Sequence, residues 1–252
     1  MRWRLLLTGH KEAHSNMALD ESIMIHVGEE ASPSTIRLYG WAPPAVSIGY
    51  FQGLEEEVNL EMCKNLGVDY VRRITGGGAV FHEHEVTYSI SIPEISPSVP
   101  HNILESYKVI CQGIIHGLRE LGIVAEFVPL NDIIVNSKKI SGSAQTRRNH
   151  TILQHGTVLI DTDVEKMFSL LRVPSEKIKD KLIKDVKERV TSINSVLSKK
   201  VSFEDVCSAL ARGFEKSFNI ELEEGEVMET EIALANEIKK ARYSNPQWNY
   251  RR

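Results

Sequence analysis

The sequence predicts an α+β fold: a mixed or largely antiparallel sheet core with flanking helices. Three observations lead there. Residues 132–160 contain "DIIV", "KKISGSAQTRR" and "TILQHGTVLI", strand-like runs parted by Asn136-Ser137 and Asn149-His150, each short enough for a hairpin turn. Helical patterns stand before and after this section. No alternating βαβ series runs through the chain, which argues against a parallel doubly wound sheet.

Taken in order, residues 17–27 read as a helix, with Ser15 or Asn16 as cap and Gly28 as stop. "TIRLYGW" and "AVSIGYF" read as strands joined across Pro43-Pro44. "NLEMCKNLG" is a short helix closed by Gly67, and "VDYVRR" is a strand leading into three glycines. "VTYSISI" (86–92) alternates apolar and polar residues, the pattern of a half-buried strand. Apolar residues at 103, 104, 107, 110, 114, 115, 118 and 121 fall at helical spacing. From about residue 163 the chain reads as mostly helical, and Ser202 with Asp205 forms a capping box for a helix through Phe218. "KIKDKLIKDVKER" (177–189) reads as a solvated amphipathic helix, or else a docking face for acidic domains. No flexible linker marks a boundary, so residues 1–252 are expected to form one domain.

Composition excludes several classes. The formal net charge of −4 gives no global attraction to nucleic acid or to an anionic membrane. No apolar run approaches the length of a membrane span. Cys63, Cys111 and Cys207 are odd in number and widely spaced. They argue for a reducing, cytoplasmic location and against a disulfide framework or a CxxC metal knuckle.

Chemistry concentrates in three stretches. In "VRRITGGGAVFHEHE" (71–85) the glycines are followed neither by Gly-Lys-[Ser/Thr] nor by the dinucleotide-binding spacing. A plain glycine turn is one reading. The other comes from Arg72 and Arg73, which face opposite sides of a strand, so one guanidinium can point at the glycines. Bare backbone N–H groups beside a fixed charge suit a phosphate or an acyl phosphate. In "NDIIVNSKKISGSAQ" (131–145), strand alternation places Lys139, Ser141 and Ser143 on one face, beside a hollow left by small residues. A lysine there can pin a carbonyl or carboxylate. In "LQHGTVLI" (153–160), His155 and Gly156 interrupt an apolar strand, and such a glycine marks close approach of a ligand or another backbone.

Together, "RRITGGGAVFH", "NDIIV", "KKISGSA" and "HGTVLI", with "NMALDE" near the start and "YSNPQWNYRR" at the end, resemble the lipoate–protein ligase A family. The likeness covers nearly the whole chain. It implies the mixed core shared with biotin–protein ligases and class II aminoacyl-tRNA synthetases. It also implies activation of lipoate by ATP with Mg²⁺, then transfer from lipoyl-AMP to a lysine of a lipoyl-accepting protein. Such acceptors are the lipoyl domains of 2-oxoacid dehydrogenase E2 subunits and the glycine cleavage H protein. By this resemblance Lys139 is the catalytic charge on the acyl and phosphoryl oxygens. Arg73, Gly77, Gly78, Ala79, Val80, Phe81 and His82 belong to the nucleotide side of the site. Asn131 and Asp132 are a polar pair beside the adenylate, with Asp132 a metal contact. Ser141, Gly142, Ala144, His155 and Gly156 complete the lining, and Tyr39, Ile48, Tyr50 and Val80 wall an apolar tunnel. Glu83 departs from the aspartate often found after the family's histidine.

A second resemblance runs to LipM-type octanoyltransferases, in "IRLYGW", "IGYFQ", "GSAQTR" and "LQHG". Those enzymes use no ATP and pass octanoyl from acyl carrier protein through a cysteine, placed in an insertion ahead of the lysine motif. Here the segment between Leu121 and Lys139 is short and has no cysteine, which together with "NDIIV" favours the ligase. The GRGR-type loop of biotin ligases is absent from the sequence, and a non-catalytic adenylate- or acyl-binding module is the remaining alternative. Many family members carry a small accessory domain after the "W-N" segment, whereas this chain stops at Arg252. The expectation is a catalytic subunit working with a separate small accessory protein.

Overall fold

Near-continuous apolar runs and hairpin turns generate two sheets, and the helices are spent covering them. The computed structural model describes residues 1–172 and 176–251, with backbone alone for 176–180. In chain order the elements are β1 (Arg2–Lys11), α1 (Ala13–Gly28), β2 (Thr35–Trp41), β3 (Ala45–Ile48), α2 (Leu54–Glu57), α3 (Leu60–Leu66), β4 (Asp69–Arg72), β5 (Val80–His82) and β6 (Glu85–Pro93). There follow α4 (Ile103–Glu120), β7 (Glu126–Val128), β8 (Asp132–Val135), β9 (Lys138–Arg148), β10 (Thr151–Leu159), α5 (Val164–Leu170) and α6 (Glu176–Arg189). The chain closes with α7 (Ile193–Leu197), α8 (Phe203–Phe218), β11 (Glu221–Glu224), α9 (Glu229–Ile238), a π-helical turn (Lys239–Tyr243) and α10 (Pro246–Asn249).

The main sheet has the order β11-β1-β2-β6-β10-β9-β8-β7. β1 runs parallel to both β2 and β11, and every pair from β2–β6 onward is antiparallel. A small sheet, β4-β3-β5, stands beside it. The sheet is mixed, as the hairpin section implied. Both hairpin turns carry positive φ at their two central residues, 50° and 64° at Asn136-Ser137 and 49° and 57° at Asn149-His150. That backbone twist matches the twist of the flanking strands.

The largest apolar cluster lies between one face of the main sheet and helices α4 and α8, with Tyr88, Ile114, Leu118, Leu210 and Phe214 at its centre. Glycines let those two helices approach closely: a Cβ on Gly213 would lie 2.2 Å from the Gly113 carbonyl oxygen and 2.3 Å from the Gly117 nitrogen. α1 covers the other face and buries residues all around its circumference. Consequently β6 is buried on both faces, not half-buried as its alternation suggested. Its polar residues Thr87, Ser89 and Ser91 are as buried as the apolar ones.

Three local expectations are corrected. α1 starts earlier than residue 17, at Ala13, and its cap is Glu12, whose carboxylate accepts from the backbone of His14 and Ser15. β1 and the short edge strand β11 were not legible as strands. A bulge at Ile140, where the β8–β9 register shifts, turns the later part of β9 over. Gly142 therefore faces Lys139, and a Cβ there would lie 2.8 Å from the lysine Nζ. Ser143 faces the core instead, with its hydroxyl on Tyr88 OH at 2.7 Å.

The C-terminal residues are tied back onto the small sheet by Arg72. Its guanidinium donates to the carbonyls of Trp248, Asn249 and Arg251 at 3.0, 2.8 and 2.6 Å, and Asn249 Oδ1 accepts from the Arg72 backbone at 2.8 Å. One arginine of the pair before the glycines is thus an anchor for the end of the chain. Among the described residues, no helix is long and apolar enough to cross a membrane.

Candidate active site

A cavity of about 370 Å³ opens between the pocket face of the main sheet and the small sheet. Tyr39 and Trp41 of β2, Gly142 and Ala144 of β9, and His155, Gly156 and Thr157 of β10 form one wall. Gly77, Gly78 and Ala79, followed by Val80, Phe81 and His82 of β5, form the facing wall. Met167, Val186 and Val190 close it from the side of α5 and α6. The walls are mostly apolar, which suits a fatty chain better than a sugar or a base.

The glycine loop is shaped by a buried arginine. Arg73 Nη2 donates to the carbonyls of Gly76 and Gly78, both at 2.8 Å, and Nη1 reaches the carbonyl and hydroxyl of Ser47 at 3.2 and 3.1 Å. Its fork points at the glycines, as strand alternation implied, but holds their carbonyls. Burial lowers its pKa to about 10, so the group stays charged at neutral pH. Gly77 has φ of +101°, open to glycine alone at low cost, and a Cβ on Gly49 would lie 2.0 Å from the Gly77 oxygen.

Beneath the loop lies a polar network that the sequence reading missed. Asp20 accepts from Arg37 Nη1 at 2.7 Å and from Tyr39 OH at 2.8 Å. His155 Nδ1 is 3.4 Å from the second Asp20 oxygen, and its Nε2 is 2.7 Å from Thr75 Oγ1. Burial pushes the Asp20 pKa up, but Arg37, His155 and Tyr39 outweigh it and hold the carboxyl below its ordinary value. Burial pushes the His155 pKa down, more than Asp20 raises it. A neutral His155 that donates from Nδ1 to Asp20 must accept from the Thr75 hydroxyl. The signal was present in "NMALDE": a charged residue inside an apolar helix demands a buried partner.

On the other side, His82 bridges Ser47 Oγ at 2.8 Å and Glu85 Oε1 at 2.7 Å, stacked on Trp41 with centroids 4.1 Å apart. Glu83, the departure from the family pattern, pairs with Lys166.

Lys139 lies at the cavity's open side, with 43% of its side chain exposed. Its Nζ sits 2.7 Å from Asp132 Oδ1, and the Thr191 nitrogen donates to its backbone carbonyl at 2.8 Å. Asn131 Nδ2 donates to the Ser143 carbonyl at 2.5 Å and so braces β9. Every candidate residue apart from Asp132 lines the cavity, and Asp132 reaches it through Lys139. Of the expected tunnel walls, Tyr39 and Val80 line it, while Ile48 belongs to the core of the small sheet and Tyr50 stacks beneath Arg251. Among the described residues no group of three or more His, Cys, Asp or Glu could hold a metal ion. The helix read as solvated closes the cavity with Val186, and the chain just after it does so with Val190; the side chains of 177–180 lie outside the described residues.

All three cysteines are buried and none lines the cavity. Desolvation raises Cys63 and Cys111 to about 11 and Cys207 to about 12.

Comparison with known proteins adds the family. A model of the lipoyl protein ligase A/B catalytic domain matches residues 12–215. The octanoyltransferase LipM of Geobacillus kaustophilus is 40% identical, covering 99% of this chain and 98% of its own length. That of Brevibacillus brevis is 38% identical over 274 aligned positions, against 252 residues here, so it carries residues with no counterpart in this chain. A bipartite lipoate protein ligase from Thermoplasma acidophilum superposes with a TM-score of 0.89 at 33% identity, covering 99% of this chain and 96% of that one. A lipoate–protein ligase A bound with ATP gives 0.84 at 30% identity, with 99% of each chain covered.

These relatives overturn the expected ATP-dependent lipoate ligase, because the full-length curated matches are octanoyltransferases. The sequence argument had turned on a missing cysteine and on "NDIIV", and similarity over the full length outweighs them. Since the family match spans most of the sequence, and relatives near 40% identity match it over almost their full length, the chain belongs to the lipoyl protein ligase A/B catalytic-domain family.

Proposed function

We propose that the chain is an octanoyltransferase. It moves an octanoyl group from the thioester of an acyl carrier protein to a lysine of a lipoyl-accepting protein, such as an E2 lipoyl domain or the glycine cleavage H protein. The observation that carries this reading is the similarity to LipM octanoyltransferases, 37% to 41% identical with at least 98% of both chains covered.

The cavity supports it. Burying the octanoyl tail against Val80, Phe81 and Met167 contributes roughly 0.8 kcal/mol per methylene, or about 5 kcal/mol gross. Lys139 stands where negative charge develops on the carbonyl oxygen as the tetrahedral intermediate forms. Asp132 holds the lysine in place across Gly142. A thioester is already activated, so neither ATP nor Mg²⁺ enters the step. With no cysteine at the cavity, the transfer is direct. The acceptor amine attacks the carbonyl, the C–N bond forms, the C–S bond breaks, and the leaving thiolate takes the proton shed by nitrogen.

Intact-mass spectrometry of an acceptor domain tests the reading. Incubation with the protein and octanoyl-carrier protein is expected to add one octanoyl group. Modification from lipoate with MgATP, and none from the octanoyl carrier, would refute it.

A further inference from the structure

Three successive peptide groups of the glycine loop turn their oxygens into the protein. The Gly76 and Gly78 carbonyls accept from Arg73 Nη2, both at 2.8 Å. The Gly77 carbonyl lies against Gly49, where a Cβ would come within 2.0 Å of its oxygen. In a planar trans peptide the N–H points opposite to the C=O. The N–H groups of Gly77, Gly78 and Ala79 therefore turn away from Arg73 and Gly49. Among the described residues none of the three finds a hydrogen-bond acceptor. All three residues line the cavity, and a Cβ built on Gly78 meets nothing within 4 Å. They form the wall facing Gly142, the glycine over which Lys139 Nζ lies.

Successive backbone N–H groups around a residue of positive φ, here Gly77 at +101°, make a concave donor surface suited to an anionic oxygen. Arg73 strengthens those donors. A peptide whose oxygen accepts from a guanidinium is polarised, and its own N–H becomes the better donor. The arginine acts through these peptides rather than by touching the anion. Its two Nη2 bonds to the loop and two Nη1 bonds to Ser47 take up every proton on its terminal nitrogens. An oxygen between the two walls meets the Lys139 ammonium on one side and the loop N–H groups on the other. That is the arrangement a thioester carbonyl requires as it gains negative charge.

We propose that the N–H groups of Gly77, Gly78 and Ala79 form an oxyanion cradle for the thioester carbonyl oxygen, with Arg73 as the residue that positions them. The proposal rests on the transferase reading and adds the backbone donors that share the oxygen with Lys139. As the amine attacks, the C=O π electrons move onto that oxygen. They return as the C–S bond breaks, and the thiolate takes the proton shed by nitrogen. The cradle donates hydrogen bonds throughout and gives up no proton.

The test uses Ala79→Pro and Arg73→Lys, with folding checked by thermal melts. The first deletes one donor and breaks no hydrogen bond that this N–H makes within the protein. The second keeps a charge but loses the planar fork that holds both loop carbonyls. For transfer from octanoyl-N-acetylcysteamine to an acceptor domain, each variant is expected to lose about 10²-fold in kcat, with little change in KM for the donor. The paired substrate is the dithioester of the same donor, whose sulfur in place of the carbonyl oxygen accepts hydrogen bonds poorly. Wild type is expected to favour the thioester by about 10²-fold, and both variants to lose most of that preference. A thioester kcat equal to wild type, or a fall equal for both substrates, overturns the cradle when seen in Ala79→Pro. Seen in Arg73→Lys, it overturns the positioning role. Isothermal titration with octanoate separates the cradle from the transferase reading. If wild type transfers octanoyl from neither substrate, the transferase reading falls. Weaker octanoate binding by the variants then still upholds the cradle, and binding equal to wild type refutes it.

Discussion

Lys139 and its neighbour Lys138 differ in what they face, and that difference is testable. Lys139 lies over Gly142 beside the cavity and against Asp132, whereas Lys138 does not line it. Lys139→Met keeps most of the stem and removes the charge. A loss of about 10²-fold or more in acyl transfer is expected, with the melting temperature preserved. Lys138→Met should transfer at the wild-type rate, and a reversed outcome would mean the bulge at Ile140 is misplaced. The cysteines give a second residue-scale prediction. Replacing Cys63, Cys111 and Cys207 together by alanine should retain transfer, with a modest stability cost for buried sulfur. Peptide mapping that finds an octanoyl group on any of the three during turnover would defeat the direct-transfer step.

At the scale of elements, what could be read from sequence depended on how local the cause was. The two hairpins were legible because asparagine-containing turns and alternating strands carry their own instructions. The helix of residues 103–120 was legible from its spacing. β1 and β11 were not, because each is defined by pairing with residues far away in the chain. The bulge at Ile140 leaves no local mark either, and it turned the Ser143 hydroxyl toward the core at Tyr88. The candidate glycines and small residues border one cavity because such residues cluster where strands must approach. The Asp20–Arg37–His155 network was missed since its members come from three elements. The α4–α8 crossing yields the prediction at this scale. Gly213→Ala places a Cβ 2.2 Å from a backbone oxygen, so the helices must separate. A cost of about 1–3 kcal/mol is expected, or some 2–4 °C in Tm for each kcal/mol in a chain this size. Differential scanning calorimetry measures it, and a melting temperature equal to wild type would mean that the helices can shift at no cost.

Over the whole molecule, the buried network makes stability depend on pH. It joins α1 through Asp20, β2 through Arg37 and Tyr39, β10 through His155 and the glycine loop through Thr75. Both Asp20 and His155 have pKa values below their ordinary ones in the folded state, Asp20 because Arg37 outweighs burial, His155 because burial outweighs Asp20. A group whose folded pKa is depressed contributes stability above its unfolded pKa and loses it as pH falls. For His155 the loss therefore begins near the unfolded value of about 6.5 and continues down to the folded one, at up to about 1.4 kcal/mol per pH unit. Asp20 adds its own loss only below about pH 4. His116, lowered chiefly by burial, moves in the same direction as His155, so the comparison must be between variants. Urea unfolding of wild type and His155→Gln from about pH 8 to pH 5 isolates the term. The amide can still meet Asp20 and Thr75, but it takes up no proton. Wild type is expected to lose stability more steeply than the variant below about pH 6.5, with parallel curves above pH 7. Parallel curves over the whole range would show that His155 titrates alike in both states, and that the network does not hold it neutral.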